Sequence, residues 1–273
     1  MFLSVFDLFK IGIGPSSSHT MGPMTAATRF LAELVSGDWP RPAGAKVDRL
    51  AASLHGSLAY TGIGHGSDRA VVLGLTGLTP QTVDPDRVEA VIAEVTAAKR
   101  VCPPGHPSYR FDPAADLVLD KKTPLTGHAN GMAFYAYDAG DRLLLKRIYY
   151  SIGGGFVVSE EELQRMKARG SVTTEGRKVP HPFKSAAEML AMAARSGLSI
   201  ADMKRENEET RMPREKLDAG MDAIWGAMLG CIERGLTQEG IMPGGLKVRR
   251  RARKLYDRLQ EEWQQNRPNP VLA

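Results

Sequence analysis

Met132-Ala-Phe-Tyr-Ala-Tyr-Asp-Ala-Gly-Asp-Arg-Leu-Leu-Leu-Lys-Arg-Ile-Tyr-Tyr-Ser-Ile152 decides the fold class. Two aromatic and aliphatic runs, 132–137 and 143–152, flank Asp-Ala-Gly-Asp at 138–141. That is the composition of two strands joined by a hairpin turn. Upstream, 117–119 reads as a further strand and 88–98 as a helix. Residues 21–35 place Met24, Ala27, Phe30, Leu31 and Leu34 at helical spacing, with Gly37 as a stop. Residues 47–60 read as a strand entering a glycine turn at 62–66, after which Ser67 and Asp68 offer a cap for a helix through Val71, Val72 and Leu75.

Downstream of the hairpin the pattern changes. Residues 158–184 are mixed in charge, carry no long apolar stripe and end on Pro180 and Pro182, the composition of a connector. From Ser185 the chain reads as helices only. Ser185 with Glu188, and Ser199 with Asp202, have the spacing of reciprocal caps. Residues 218–234 carry Met221, Ile224, Trp225, Met228, Leu229 and Ile232 on one stripe, a core face by default, with Gly235 as the stop. A loop at 240–245 and a basic helix at 247–265 follow. The expected class is therefore α+β: a mixed α/β N-terminal domain at 1–157, a charged connector at 158–184 and an all-helical segment at 185–273. No strand of five or more residues is expected beyond 190.

Composition narrows the function classes. The 273 residues are 42% hydrophobic and 25% charged, enough apolar content to offset the entropy of ordering. The net charge of +5 is concentrated at Lys247, Arg249, Arg250, Arg251, Arg253 and Lys254. Without stacking aromatics or a nucleic-acid motif, this run reads as a solvated helix face or an anion-facing edge, and no nucleic-acid partner is expected. Cys102 and Cys231 stand far apart, outside any Cys-x-x-Cys frame, which excludes a disulfide framework and a self-contained zinc or iron–sulfur site. The apolar start lacks a basic region and is interrupted by Asp7 and Lys10, so it is not read as a signal peptide. No run reaches the roughly 18–20 apolar residues of a membrane span. A cytoplasmic protein is expected.

Candidate chemistry lies in three glycine-bounded loops. Gly12-Ile-Gly-Pro-Ser-Ser-Ser-His-Thr-Met-Gly-Pro23 leads into a helix and offers the hydroxyls of Ser16, Ser17, Ser18 and Thr20 around His19. Hydroxyls and free N–H groups at a helix start suit a carboxylate or phosphate, and an imidazole serves as acid or base near neutral pH. A Ser-rich flexible loop with a surface histidine is the alternative. Thr61-Gly-Ile-Gly-His-Gly-Ser-Asp68 sets His65 between glycines, and its spacing is not the dinucleotide fingerprint. Gly127-His-Ala-Asn-Gly131 adds His128 and Asn130 just before a strand. Any one of these histidines alone reads as structural; three such loops within 131 residues point to one shared site. No nucleophile elbow, His-Glu-x-x-His, Walker loop or Schiff-base lysine frame is present, so no pyridoxal phosphate is expected.

Ser4-Val-Phe-Asp-Leu-Phe-Lys-Ile-Gly-Ile-Gly-Pro-Ser-Ser-Ser-His-Thr-Met-Gly-Pro-Met24 resembles the opening of bacterial iron–sulfur L-serine dehydratases of the single-chain type. Gly56-Ser-Leu with Thr61-Gly-Ile-Gly-His65, His128-Ala-Asn-Gly-Met132 and Tyr149-Tyr-Ser-Ile-Gly-Gly-Gly-Phe156 follow in family order. So do Pro182-Phe-Lys-Ser185 and Met242-Pro-Gly-Gly-Leu-Lys-Val-Arg-Arg-Arg-Ala252. The resemblance implies a β domain like an allosteric substrate-binding fold, then the first part of a helical α domain. It implies α,β-elimination of L-serine to pyruvate and ammonia, with a [4Fe-4S] cluster as Lewis acid. It also implies a homo-oligomer for the full-length enzyme. His19, His65 and His128 would be the catalytic candidates; Ser16, Ser17, Ser18, Thr20, Thr61 and Asn130 would bind substrate. The family's cluster cysteines have no counterpart here, so a fragment or truncated gene is expected, inactive alone and exposing apolar helix faces such as the Trp225 and Met228 stripe. The competing reading is a non-catalytic regulatory module that binds a small amino acid.

Overall fold

The computed structural model describes residues 2–42, 44–168, 178–242 and 247–265. In chain order these form α1 (Val5–Leu8), a π-helical turn (Ser17–Met21), α2 (Gly22–Ser36), β1 (Arg49–His55), α3 (Ser57–His65), α4 (Ser67–Leu75) and α5 (Val88–Ala98). Then come β2 (Arg100–Val101), β3 (Tyr109–Arg110), α6 (Pro113–Asp116), β4 (Leu117–Asp120), β5 (Gly131–Tyr137), β6 (Leu143–Gly153) and β7 (Phe156–Ser159). The remaining elements are α7 (Glu160–Ala168), α8 (Ala186–Ser196), α9 (Ile200–Glu209), α10 (Arg214–Thr237) and α11 (Ala252–Gln264). The chain divides into a sheet-bearing unit, 10–172, and a helical unit made of 1–9 with 173–273.

In the sheet-bearing unit the strand order is β2-β3-β1-β5-β6-β7, with β4 also on β1. β1 runs parallel to β3 and β4 and antiparallel to β5, and β5, β6 and β7 form an antiparallel meander. The hairpin expected at 132–152 is present: Asp138 accepts the Asp141 N–H and donates to the Arg142 carbonyl, closing the turn. The stripe of α2 is buried throughout, and Phe30 stacks on Phe134 of β5 at 5.5 Å between centroids. Each such side chain contributes about 1.5–3 kcal/mol by leaving water. Gly37, at φ 75°, ends α2 as expected.

α2 and α4 touch backbone to backbone. A Cβ on Gly74 would lie 2.5 Å from the Met24 carbonyl oxygen and 2.6 Å from the Ala27 Cβ. Neither atom is the movable end of a side chain, so Gly74→Ala is expected to cost about 1–3 kcal/mol. Gly226→Ala on α10, where nothing stands within 4 Å, should instead gain roughly 0.5–1 kcal/mol of helix propensity. Urea midpoints moving in opposite directions would check the pair.

The glycine run departs from its expected form. The strand stops at His55, Gly56 turns the chain at φ 56° and ψ −131°, and Ser57–His65 is helical with Gly62 and Gly64 inside it. Helical glycine costs about 1 kcal/mol each, which is why the run reads as a turn. Packing overrides this: Gly62 is buried, and a Cβ there would sit 3.1 Å from Ser67 Cβ. Only Gly66, at φ 67°, makes the left-handed turn, and it caps α4 itself. Ser67 and Asp68 are the first helical residues and no side chain caps the helix, contrary to expectation.

Within the stretch read as a connector, β7 ends at Ser159, α7 occupies Glu160–Ala168 and residues 169–177 lie outside the described residues. In the helical unit, Ser185 accepts the Glu188 N–H, and Ser199 and Asp202 form the reciprocal box. The N-terminus is tied in through Glu208, which accepts from Ser4 Oγ at 2.8 Å and from the Val5 N–H at 2.6 Å. α10 runs through Gly235 to Thr237, so that glycine is not a stop. The helix expected at 247–265 begins only at Ala252, because Arg249 bridges to Ile241 instead. Pro243 to Leu246, in the expected loop and in the last matching motif, lie outside the described residues. No strand follows residue 190 among the described residues.

The α10 stripe, a core face by default, is exposed, as the family resemblance implied. Trp225, Met228, Leu229 and Ile232 are at least 40% exposed, and Leu217 is the buried residue of α10. Within the basic run Arg253 pairs with Glu239 and Asp257, and beyond it Arg258 pairs with Glu262. No helix among the described residues is long and apolar enough to cross a membrane.

Candidate active site

The serine loop folds into a widened helical turn. Ser16 is extended, and its Oγ accepts the His19 N–H at 3.1 Å, while its own N–H donates to Thr20 Oγ1 at 3.3 Å. The π turn Ser17–Met21 runs straight into α2. Such turns recur at functional sites because the extra residue swings a side chain out of register. The first N–H groups of the turn have no carbonyl within the helix to bind. Gly22 lets the turn press on β6: a Cβ there would lie 2.2 Å from Ser151 Oγ, a buried hydroxyl with no hydrogen-bond partner among the described residues.

His19 is held from both sides. Nδ1 lies 2.9 Å from Ser18 Oγ and Nε2 lies 3.0 Å from Ser57 Oγ, at the start of α3. Its carbonyl accepts from Ser67 Oγ, so the hydroxyl expected to cap α4 ties the two loops together instead. Thr20 Oγ1 adds a second tie by donating to the His65 carbonyl at 2.8 Å.

His65 lies beside His19, with ring centroids 4.8 Å apart. Its Nδ1 is 3.0 Å from the Thr61 carbonyl oxygen. A carbonyl only accepts, so Nδ1 carries the proton and Nε2 of the neutral ring keeps a lone pair. Burial first, and the neighbouring His65 second, hold His19 below the usual imidazole pKa. His19 therefore stays a neutral hydrogen-bonding group at neutral pH.

The third loop hangs from the same serine. The Ser57 N–H donates to the Ala129 carbonyl at 2.8 Å, and a Cβ on Gly56 would stand 2.3 Å from that oxygen. His128 Nδ1 accepts the Asn130 N–H at 3.1 Å, so a neutral His128 carries its proton on Nε2. Asn130 Nδ2 donates to the Ser151 carbonyl at 3.1 Å, and the Gly127 N–H donates to Tyr150 Oη at 3.3 Å. The structure thus places a lone-pair imidazole, a donor imidazole and a clamped neutral imidazole on loops that share Ser57.

Not every candidate offers its side chain. Thr20 is buried and its hydroxyl serves Ser16 and His65, while Thr61 Oγ1 donates back to the Ser57 carbonyl. Ser17 is exposed, and Ser16 and Ser18 are half-buried with their hydroxyls 3.4 Å apart. Ser57 and Ser67 join the loops, yet neither was among the candidate site residues, Ser67 being read only as a helix cap. The available signal was position, since Ser57 follows the C-terminal end of a central strand, where α/β sheets open their crevice.

The donor set for metals is sparse. Among the described residues no three His, Cys, Asp or Glu side chains cluster as a metal site. Cys102 is exposed in the sheet-bearing unit and Cys231 is exposed on α10. These residues do not fit a [4Fe-4S] cluster.

The profile of the serine dehydratase beta chain matches residues 4–162, and that of the serine dehydratase alpha chain matches residues 195–268. The L-serine dehydratase of Streptomyces coelicolor is 40% identical over 262 residues, 96% of this chain and 56% of that protein. L-serine dehydratase 1 of Escherichia coli is 39% identical over 254 residues, 93% of this chain and 53% of that protein. The chain spans about half the length of the curated relatives it matches.

Proposed function

This chain belongs to the serine dehydratase family, and we propose that it carries the substrate-facing part of an L-serine dehydratase, which eliminates water from L-serine to give pyruvate and ammonia. The observation that carries this reading is the junction at Ser57, which binds His19 through its hydroxyl and the His128 loop through its N–H.

In this reading the substrate carboxylate sits at the open start of the Ser17–Met21 turn, among the hydroxyls of Ser16, Ser17 and Ser18. His65 Nε2 takes the proton from Cα as general base. The electron pair left on Cα forms the Cα–Cβ double bond as the Cβ–O bond breaks, and the departing hydroxide takes up the proton that His65 carries and leaves as water, which returns His65 to its neutral form. His128 Nε2–H and Asn130 hold substrate oxygens and orient that bond. The 2-aminoacrylate released tautomerises to an imine, and water hydrolyses it to pyruvate and ammonia. His19, kept neutral, holds the serine turn and the start of α3 in one arrangement. The resemblance implies a [4Fe-4S] cluster, whose ligand set the two cysteines of this chain do not make.

A chimera tests the proposal. This chain replacing the matched 56% of the Streptomyces coelicolor protein should release pyruvate from L-serine under anaerobic conditions. A folded, iron-loaded chimera that binds L-serine without turnover would favour the regulatory module instead.

A further inference from the structure

β1 ends on a histidine that the chemistry above does not use. His55 is 6% exposed, and its Nδ1 lies 2.7 Å from the Thr123 carbonyl oxygen. That oxygen can only accept, so Nδ1 is the protonated nitrogen. Nε2 then accepts from Ser53 Oγ at 2.8 Å, and Ser53 Oγ lies 3.2 Å from Tyr135 Oη, which is left to donate to it. This chain of hydroxyls fixes the tautomer from behind, as outer hydrogen bonds orient functional histidines elsewhere. Asp120 Oδ2 stands 3.7 Å from Nδ1 on the same side.

Thr123 belongs to the segment 121–130 between β4 and β5, which carries His128 and Asn130. Residues 121–124 are exposed, and Asp120 Oδ1 and Tyr60 Oη supply attachments at their surface end. The buried ring is the inward anchor of this stretch. Just beyond it, the Ser57 N–H holds the other end of the segment through the Ala129 carbonyl, against which Gly56 packs. One short piece of backbone therefore grips the segment at both ends.

We infer that His55 is a positioning residue: its Nδ1–H anchors the 121–130 segment at Thr123 and so sets where His128 and Asn130 stand above Ser57. This rests on the proposed role of that segment in binding substrate. A histidine that merely filled the core would not need a donor at Nδ1.

The position of the donor supplies the test. The amide nitrogen of an asparagine at 55 falls near the place of Nδ1, whereas that of a glutamine reaches toward Nε2. In the 273-residue chain, His55→Ala and His55→Gln should speed amide hydrogen exchange at 121–130 about tenfold, the scale of one lost hydrogen bond. His55→Asn should restore protection, and exchange in α2 and β5 should stay unchanged. In the chimera, kcat for L-serine should fall in His55→Ala and His55→Gln and recover in His55→Asn. Equal protection in all variants, or protection lost alike across β1, β5 and the segment, would overturn the inference. Should the variants not fold, the ring itself decides: long-range nitrogen–proton correlation in the unmutated chain at pH 8 must find His55 protonated on Nδ1, and an Nε2–H tautomer would overturn it. An inactive chimera would sink the proposed function, while the exchange and tautomer results would still decide the anchor.

Discussion

Reconstituted anaerobically with iron and sulfide, the 273-residue chain should retain no stoichiometric iron and form no pyruvate from L-serine. The reason is ligand arithmetic. A [4Fe-4S] cluster is usually held by about four thiolates. This chain has two cysteines, which are exposed and lie in different units. Cys102 Sγ is moreover engaged with Ser108 Oγ at 3.3 Å. Under the same conditions the chimera supplies the rest of a relative's chain and should differ from the 273-residue chain in both iron content and turnover. Iron-dependent turnover by the 273 residues alone would show that this assignment of the cluster is wrong.

The second large effect belongs to His19. His19→Ala in the chimera should lower kcat/KM by about 10²-fold, the loss that follows when substrate-holding groups are displaced by about 1 Å. Two losses coincide. Ser18 Oγ and Ser57 Oγ each lose a partner, and the serine turn loses its link to the start of α3. His106 provides the contrast, because its ring contacts Tyr109 rather than any of the three loops. His106→Asn should leave kcat/KM within about twofold, as a substitution remote from the site's contacts does. If the two substitutions behaved alike, the effect would be one of folding rather than of the site.

Local features were legible in the sequence because their signals are local. The α2 stripe, the 138–141 turn and the Ser199–Asp202 box each depend on residues within a few positions of one another. The three histidine loops were legible as polar and glycine-bounded, and the contact of His19 with His65 follows from chain entry into α2 and α4. What joins them was not legible. Ser57 meets His19 across 38 positions and Ser67 meets it across 48, distances over which periodicity carries no information. The glycines at 62 and 64 misled because propensity argues against a helix there, whereas Gly62 is buried in one and stands close to Ser67. His55 sat unnoticed in a strand because the partner of its Nδ1, Thr123, lies 68 positions further along the chain. The two-residue strands β2 and β3 are too short to show alternation at all.

The central claim is that the three loops form one site for L-serine, and a titration followed at the histidine rings tests it directly. The chain has six histidines, so the ring carbon–proton signals are few enough to assign individually. On addition of L-serine to the isotope-labelled chain, the signals of His19, His65 and His128 should move along a single saturating curve, while those of His106 and His181 stay in place. Three unmoved rings, or rings that respond with separate midpoints, would contradict the account.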